Sequence, residues 1–218
     1  MNIPYLPSLL AFCILCCASC EQVQKRIDKA IHVKKPFIII LQPLGDMPVQ
    51  HVRHVQERLK KVYPHVRITQ SIELPTQAYY RPRKRYRADS LIRFLKDRTA
   101  EGYITIGMTS SDISHTTGST VDYGIMGLGY QPGKSCVVST FRLAKKNIPS
   151  QFFKLCLHEL GHTQGLPHCP EKTCYMRDAE GGNHFDDQTA FCKTCREYLE
   201  SRNWHFESPT QNNFPAGQ

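Results

Sequence analysis

Residues 158–168 read His-Glu-Leu-Gly-His-Thr-Gln-Gly-Leu-Pro-His. Two histidines four apart on a helix lie on one face, one turn apart, so His158 and His162 can share one metal ion. Glu159 projects beside them. Gly165 lets the chain leave the helix in a left-handed turn, which glycine adopts without steric cost. That turn brings His168 round as a third ligand. Three protein ligands leave a fourth position open, the arrangement of a catalytic zinc. Zinc in such a site lowers the pKa of water to about 7, and a carboxylate within reach takes the proton as water attacks a carbonyl. The expected chemistry is hydrolysis, with Glu159 as general base and then general acid. A purely structural metal site would have no use for that carboxylate.

Further cysteines follow. Cys169 is next to His168, Cys174-Tyr175-Met176 comes after four intervening residues, and Cys192-Lys193-Thr194-Cys195 lies beyond. The whole pattern, H-E-x-x-H-x-x-G-x-x-H-C-x4-C-x-M…C-x-x-C, resembles the archaemetzincins, a family of metzincin zinc metallopeptidases. The resemblance covers about residues 36–202. It includes residues 137–143 (VVSTFRL), which resemble the strand leading to the family's active-site helix. Fifteen residues separate Met176 from Cys192, slightly fewer than in the family pattern, so that loop is expected to be shorter.

The resemblance implies a compact, metzincin-like α/β domain. It would have a mixed, mostly parallel sheet, an active-site helix carrying HExxH, a Met-turn at Met176 and a C-terminal helix. It implies zinc, two ions per chain. His158, His162 and His168 would hold the catalytic ion; Cys169, Cys174, Cys192 and Cys195 would hold a structural one. Four thiolates make a closed tetrahedral site with no place for water. Two disulfides are the competing reading, which export would permit. Met176 would be an apolar base under the imidazoles. The substrate would be a peptide or protein, extended along residues 124–130, whose glycines would let another backbone approach an edge strand.

These groups need elements to position them. Residues 36–41 are a continuous apolar, β-branched run and read as a buried strand. Asp46 is placed to cap a helix reaching about Tyr63, with Val49, Val52, Leu59 and Val62 on its apolar face. Residues 65–72 alternate and read as a second strand. Residues 89–98 read as a helix and 102–107 as a third strand. Residues 124–130 and 135–140 read as a hairpin about Gln131-Pro132-Gly133. Pro149-Ser150 opens the helix of residues 151–164, and a last helix is expected over 187–202.

The chain has 218 residues and ordinary globular composition, 40% hydrophobic and 22% charged, which excludes a wholly disordered or collagen-like chain. No apolar run reaches the ~18–20 residues of a spanning helix, which excludes a multi-pass membrane protein. Residues 1–19 carry no Lys, Arg, Asp or Glu, and four cysteines fall within residues 13–20. The short apolar block matches a signal peptide, and Cys17-Ala18-Ser19-Cys20 resembles a lipobox. The expected division is therefore a leader (1–19), a spacer (20–35), the peptidase domain (36–202) and a flexible tail (203–218). The chain would be exported to the cell envelope or periplasm, with membrane contact through a lipidated Cys20, or cytoplasmic if there is no leader.

The net charge of +9 favours anionic partners. Its densest stretch is Arg81, Arg83, Lys84, Arg85 and Arg87. The main rival function is a zinc-stabilised binding protein that contacts nucleic acid or an anionic surface through this stretch. The preferred reading is a solvated loop, no nucleic acid and a monomer. His115 reads as a solvent histidine, and Cys136 and Cys156 as small buried hydrophobes. Tyr175 and Tyr198 are candidates to stabilise an oxyanion, with nothing to choose between them.

Overall fold

The structure, a computed structural model, describes residues 36–206. The expected leader and spacer, and residues 207–218 of the tail, lie outside the described residues. Strand β1 (Ile38–Leu44) is followed by helix α1 (Val49–Lys60) and strand β2 (Val66–Ile68). Then come β3 (Tyr79–Tyr80), β4 (Arg85–Arg87), α2 (Ala88–Lys96), β5 (Tyr103–Thr109), β6 (Ile113–Thr117), β7 (Thr120–Ile125), β8 (Gly127–Gly129) and β9 (Ser135–Ser139). Helices α3 (Ile148–Gln164) and α4 (Lys193–Glu200) follow.

The main sheet has the order β2-β1-β5-β9-β8. Its first four strands are parallel, and β8 runs antiparallel to β9 along the edge. This is the mixed, mostly parallel sheet expected. Strand alternation explains its two covered faces. Cys136 and Val138 of β9 turn to one face with Ile39, Leu41, Ile106 and Met108. There they meet Val52, Val55 and Leu59 of α1 and Phe152, Cys156 and Leu160 of α3. Val137 turns the other way, to Leu91, Ile92 and Leu95 of α2. Each such aliphatic side chain, taken fully from water, contributes about 1.5–3 kcal/mol. Helix α3 is therefore clamped between α1 and the β8–β9 edge, and this fixes the helix that carries the histidines.

Several boundaries differ from expectation. Helix α1 starts after Pro48, not at Asp46, whose side chain makes no cap. Proline pre-sets the extended φ of a cap position, so the start needs no acidic side chain. Strand β2 is three residues long, and Ile72 returns only as a lone bridge to Leu44. Gly124 belongs to β7, leaving Gly127–Gly129 as the arm that pairs with β9. Helix α4 starts at Lys193, because residues 189–190 are pinned by Thr189 N–H to Thr173 O and Tyr175 N–H to Ala190 O. The expected tail boundary is also corrected. Trp204 is fully buried against Tyr63, and His205 N–H donates to Val62 O.

A second, four-stranded sheet (β3-β4-β6-β7) was not expected. Its strands are short and polar, so no apolar alternation announces them. Two of the five basic residues of the stretch, Arg85 and Arg87, lie in it. Arg85 pairs with Asp112 at 2.6 Å and Asp122 at 3.1 Å, and Arg87 lies 3.6 Å from Asp122. These two arginines are tied into the sheet, so the solvated-loop reading holds only for Arg81, Arg83 and Lys84, which are exposed. His115 is also not a free solvent histidine; Nδ1 lies 2.8 Å from Asp89 Oδ2. Cys136 and Cys156 are fully buried, as expected.

Candidate metal centres and active site

Helix α3 ends at Gly165, whose φ of +101° is the left-handed turn expected there. Gly165 N–H donates to His162 O and Leu166 N–H to Gly161 O, so the last carbonyls of the helix are satisfied. The chain then doubles back and brings His168 to His158 and His162. One ring nitrogen from each of the three lies within 4.8 Å of the others. His158 and His162 are buried, whereas the His168 side chain is 47% exposed, so the cluster opens to solvent on that side.

The hydrogen bonds decide the tautomers. His158 Nδ1 lies 2.8 Å from Tyr175 O, and His162 Nδ1 lies 2.8 Å from Leu166 O. A carbonyl only accepts, so both Nδ1 atoms carry the hydrogen and both Nε2 atoms present lone pairs. Burial, reinforced by the neighbouring His162, pushes His158 down to about 3, and burial lowers His162 too, so both rings are neutral. Their two Nε2 atoms stand 3.1 Å apart. Two lone pairs at that distance repel unless a cation lies between them. The spacing is close to the about 3.3 Å edge of a tetrahedron of nitrogens ~2.05 Å from zinc. The donor set fits zinc.

Glu159 is 4% exposed, and burial pushes its carboxyl up to about 8. A cation beside it favours the ionised form and pulls that value back down. Strand β8 passes directly over this residue. A Cβ on Gly127 would overlap Glu159 Oε1, and one on Gly129 would lie 2.8 Å from Glu159 O and 3.2 Å from Oε2. This corrects the reading of the glycines: they let the edge strand close on Glu159, with the empty side facing α3. The outer edge of β8 pairs with no strand among the described residues.

Met176 is fully buried against helix α3, and its sulfur occupies the space a Cβ on Gly161 would need. The Met-turn is closed by Arg177 N–H donating to Cys174 O at 3.0 Å. Its carbonyls serve both clusters: Tyr175 O orients His158, and Met176 O accepts the N–H of Cys169 at 2.8 Å. The sulfurs of Cys169, Cys174, Cys192 and Cys195 lie within 4.8 Å of one another. Cys169 and Cys192 are 3.7 Å apart, far beyond a disulfide and close to the about 3.8 Å edge of a zinc–thiolate tetrahedron. The N–H groups of Met176 and Cys192 point at Cys174 Sγ, at 3.4 and 3.3 Å. Burial, with the neighbouring sulfurs, pushes the Cys174 thiol up to about 11, so a cation beside it is needed to ionise that thiol at neutral pH. This donor set also fits zinc.

The hydroxyls of the two candidate tyrosines are taken up by backbone carbonyls. Tyr175 O–H donates to Thr189 O and Tyr198 O–H to Gln164 O, at 2.6 and 3.0 Å. Both hydroxyls hold backbone. One residue was missed: Asp178, whose Oδ2 lies 3.0 Å from His168 Nδ1. No spacing rule singles out an aspartate two residues beyond a Met-turn.

A model described as Peptidase family M54 matches residues 25–201. The chain belongs to peptidase family M54. Among its relatives is an archaemetzincin of Haloquadratum walsbyi, 30% identical over 177 residues, covering 75% of this chain and 99% of that protein. An archaemetzincin of Halobacterium salinarum is 31% identical over 168 residues, covering 71% and 94%. The crystal structure of archaemetzincin from Methanopyrus kandleri superposes with a TM-score of 0.67 at 26% identity, over 78% of this chain and 97% of that one. The archaemetzincin of Archaeoglobus fulgidus, crystallised with malonate, shares the fold at a TM-score of 0.64 and 24% identity. This M54 chain is a zinc-dependent metallopeptidase acting on peptides or proteins, as the resemblance implied.

Proposed function

We propose that His158, His162 and His168 hold the catalytic zinc of this peptidase and that Glu159 is its general base and acid. The carrying observation is the pair of lone-pair Nε2 atoms 3.1 Å apart beside a buried carboxyl. Bound there, zinc supplies Lewis acidity that lowers the pKa of water and polarises the scissile carbonyl. The chain's own residues do the rest. The two buried histidines are held as Nδ1–H tautomers by backbone carbonyls. Glu159 takes the proton from the attacking water and returns it to the leaving amine. Strand β8 offers its outer edge to an extended peptide by strand addition. Glu159→Ala tests the assignment: zinc content should persist while peptide hydrolysis is lost, and undiminished turnover would refute Glu159's role.

We propose that Cys169, Cys174, Cys192 and Cys195 hold a second, structural zinc. The support is four sulfurs within 4.8 Å of one another and the N–H groups aimed at Cys174. The binding-protein alternative has less to stand on, since Arg85 and Arg87 are already paired with Asp112 and Asp122. We further propose, from the apolar block of residues 7–18 and the lipobox-like Cys17-Ala18-Ser19-Cys20 at its end, that the chain is exported and lipid-anchored at Cys20, and separately that it is a monomer. Mass spectrometry of the mature N-terminus, with cell fractionation and sizing, tests both. An intact Met1 on cytosolic protein would exclude export and the anchor.

A further inference from the structure

We infer that Asp178 is the positioning residue for the third histidine of the catalytic site; the inference rests on the proposed zinc role of His168. The three imidazoles are anchored in unlike ways. His158 and His162 project from a buried helix and donate to backbone carbonyls. His168 sits beyond the helix, on no regular element, with nearly half its side chain exposed. The acceptor that meets its Nδ1 is a side chain, Asp178 Oδ2, at 3.0 Å.

That carboxylate is itself held. Its other oxygen, Oδ1, accepts the N–H of Glu180 at 3.0 Å, and Gly182 N–H donates to Ala179 O at 2.7 Å to close the next turn. Glu180 and Gly181 take positive φ values of +46° and +81°, which the turn requires. The two segments are tied together by Cys169 N–H donating to Met176 O and by the bridge from Cys169 to Arg177. As a surface ion pair, with 47% and 53% of the side chains exposed, His168–Asp178 would add almost nothing to stability. What it decides is the tautomer and the angle of the ring. A carboxylate only accepts, so Nδ1 keeps the hydrogen and Nε2 keeps its lone pair for the metal. Carboxylate–histidine–metal arrangements of this kind set metal affinity, and losing the carboxylate weakens binding by roughly 10–100-fold.

The test uses full-length reduced protein as wild type, Asp178→Ala, Asp178→Asn and His162→Ala. Zinc affinity of the chelator-removable ion is measured by competition, and the visible spectrum is recorded after that ion is replaced by cobalt. Asp178→Ala should bind the removable ion about 10–100-fold more weakly and shift the cobalt bands, with the thiolate-held ion retained. Asp178→Asn keeps an oxygen that accepts from Nδ1 and should recover most of the affinity and the wild-type bands. A general loosening of the turn would not produce that rescue together with a cobalt shift. Affinity of Asp178→Ala within about threefold of wild type, or no recovery in Asp178→Asn, would overturn the inference while the His162→Ala loss upholds the catalytic site. Equal removable zinc in His162→Ala and wild type would sink the catalytic-site reading and this inference with it.

Discussion

Glu159 and Gly127 lie against each other although 32 positions separate them. Glu159 is only 4% exposed, and the strand above it must lack a Cβ to lie so close. Gly127→Ala should therefore push the carboxyl off its position without touching a metal ligand. A misplacement of about 1 Å costs roughly 100-fold in rate. The expected outcome is a loss of kcat/KM by about two orders of magnitude with wild-type zinc content, read by a peptide-cleavage assay beside metal analysis. Normal turnover in Gly127→Ala would mean that Glu159 does not need this strand. Glu159→Ala should lose the general acid–base contribution, about 10²–10⁴-fold.

At the scale of elements, the Met-turn links the two clusters. Cys174 supplies a sulfur, and the next carbonyl, Tyr175 O, orients His158. Loosening the cysteine cluster should then loosen the histidine cluster. Cys192→Ser is expected to lower thermal stability far more than Glu159→Ala, and also to weaken the chelator-removable ion. Unchanged affinity for that ion would show that the Met-turn stands without its cysteines. The segment after α4 is the second test at this scale. Trp204 is fully buried and packs on Tyr63 and Phe206. Trp204→Ala should cost about 3–5 kcal/mol, the usual penalty for emptying a large aromatic site. A loss below about 1 kcal/mol by denaturant unfolding would return these residues to a dispensable tail.

For the whole molecule, the two donor sets predict two kinds of zinc. One is open to solvent through His168; the other is a closed set of thiolates joining the segment after α3 to α4. Reduced protein should carry two ions per chain, and they should leave in order. Mild chelation should remove one ion and all activity while far-ultraviolet circular dichroism stays constant. Removing the second should unfold the C-terminal part, because metal binding and folding are coupled at such sites. One zinc per chain, with the four cysteines oxidised in pairs, would contradict the second site.

The spacing of residues 158–168 was enough to identify the helix, its glycine exit and three convergent histidines. The reason is local: helical geometry places i and i+4 together, and a glycine turn needs no distant partner. The central strands β1, β5 and β9 were legible because strands covered on both faces are rich in apolar and β-branched residues. The second sheet was not, since β6 and β7 are a polar ribbon held by ion pairs from Arg85, Arg87 and Arg142 that only the assembled chain brings into range. The glycines of β8 were visible, but their purpose was not: sequence cannot say which neighbour an absent Cβ makes room for. Asp178 and Trp204 were hidden for the same reason. An aspartate beside a turn and a tryptophan in a polar tail look ordinary until the fold sets one against His168 and the other against Tyr63. Short-range geometry determined which atoms could bind and cleave; long-range packing decided which atoms hold them still.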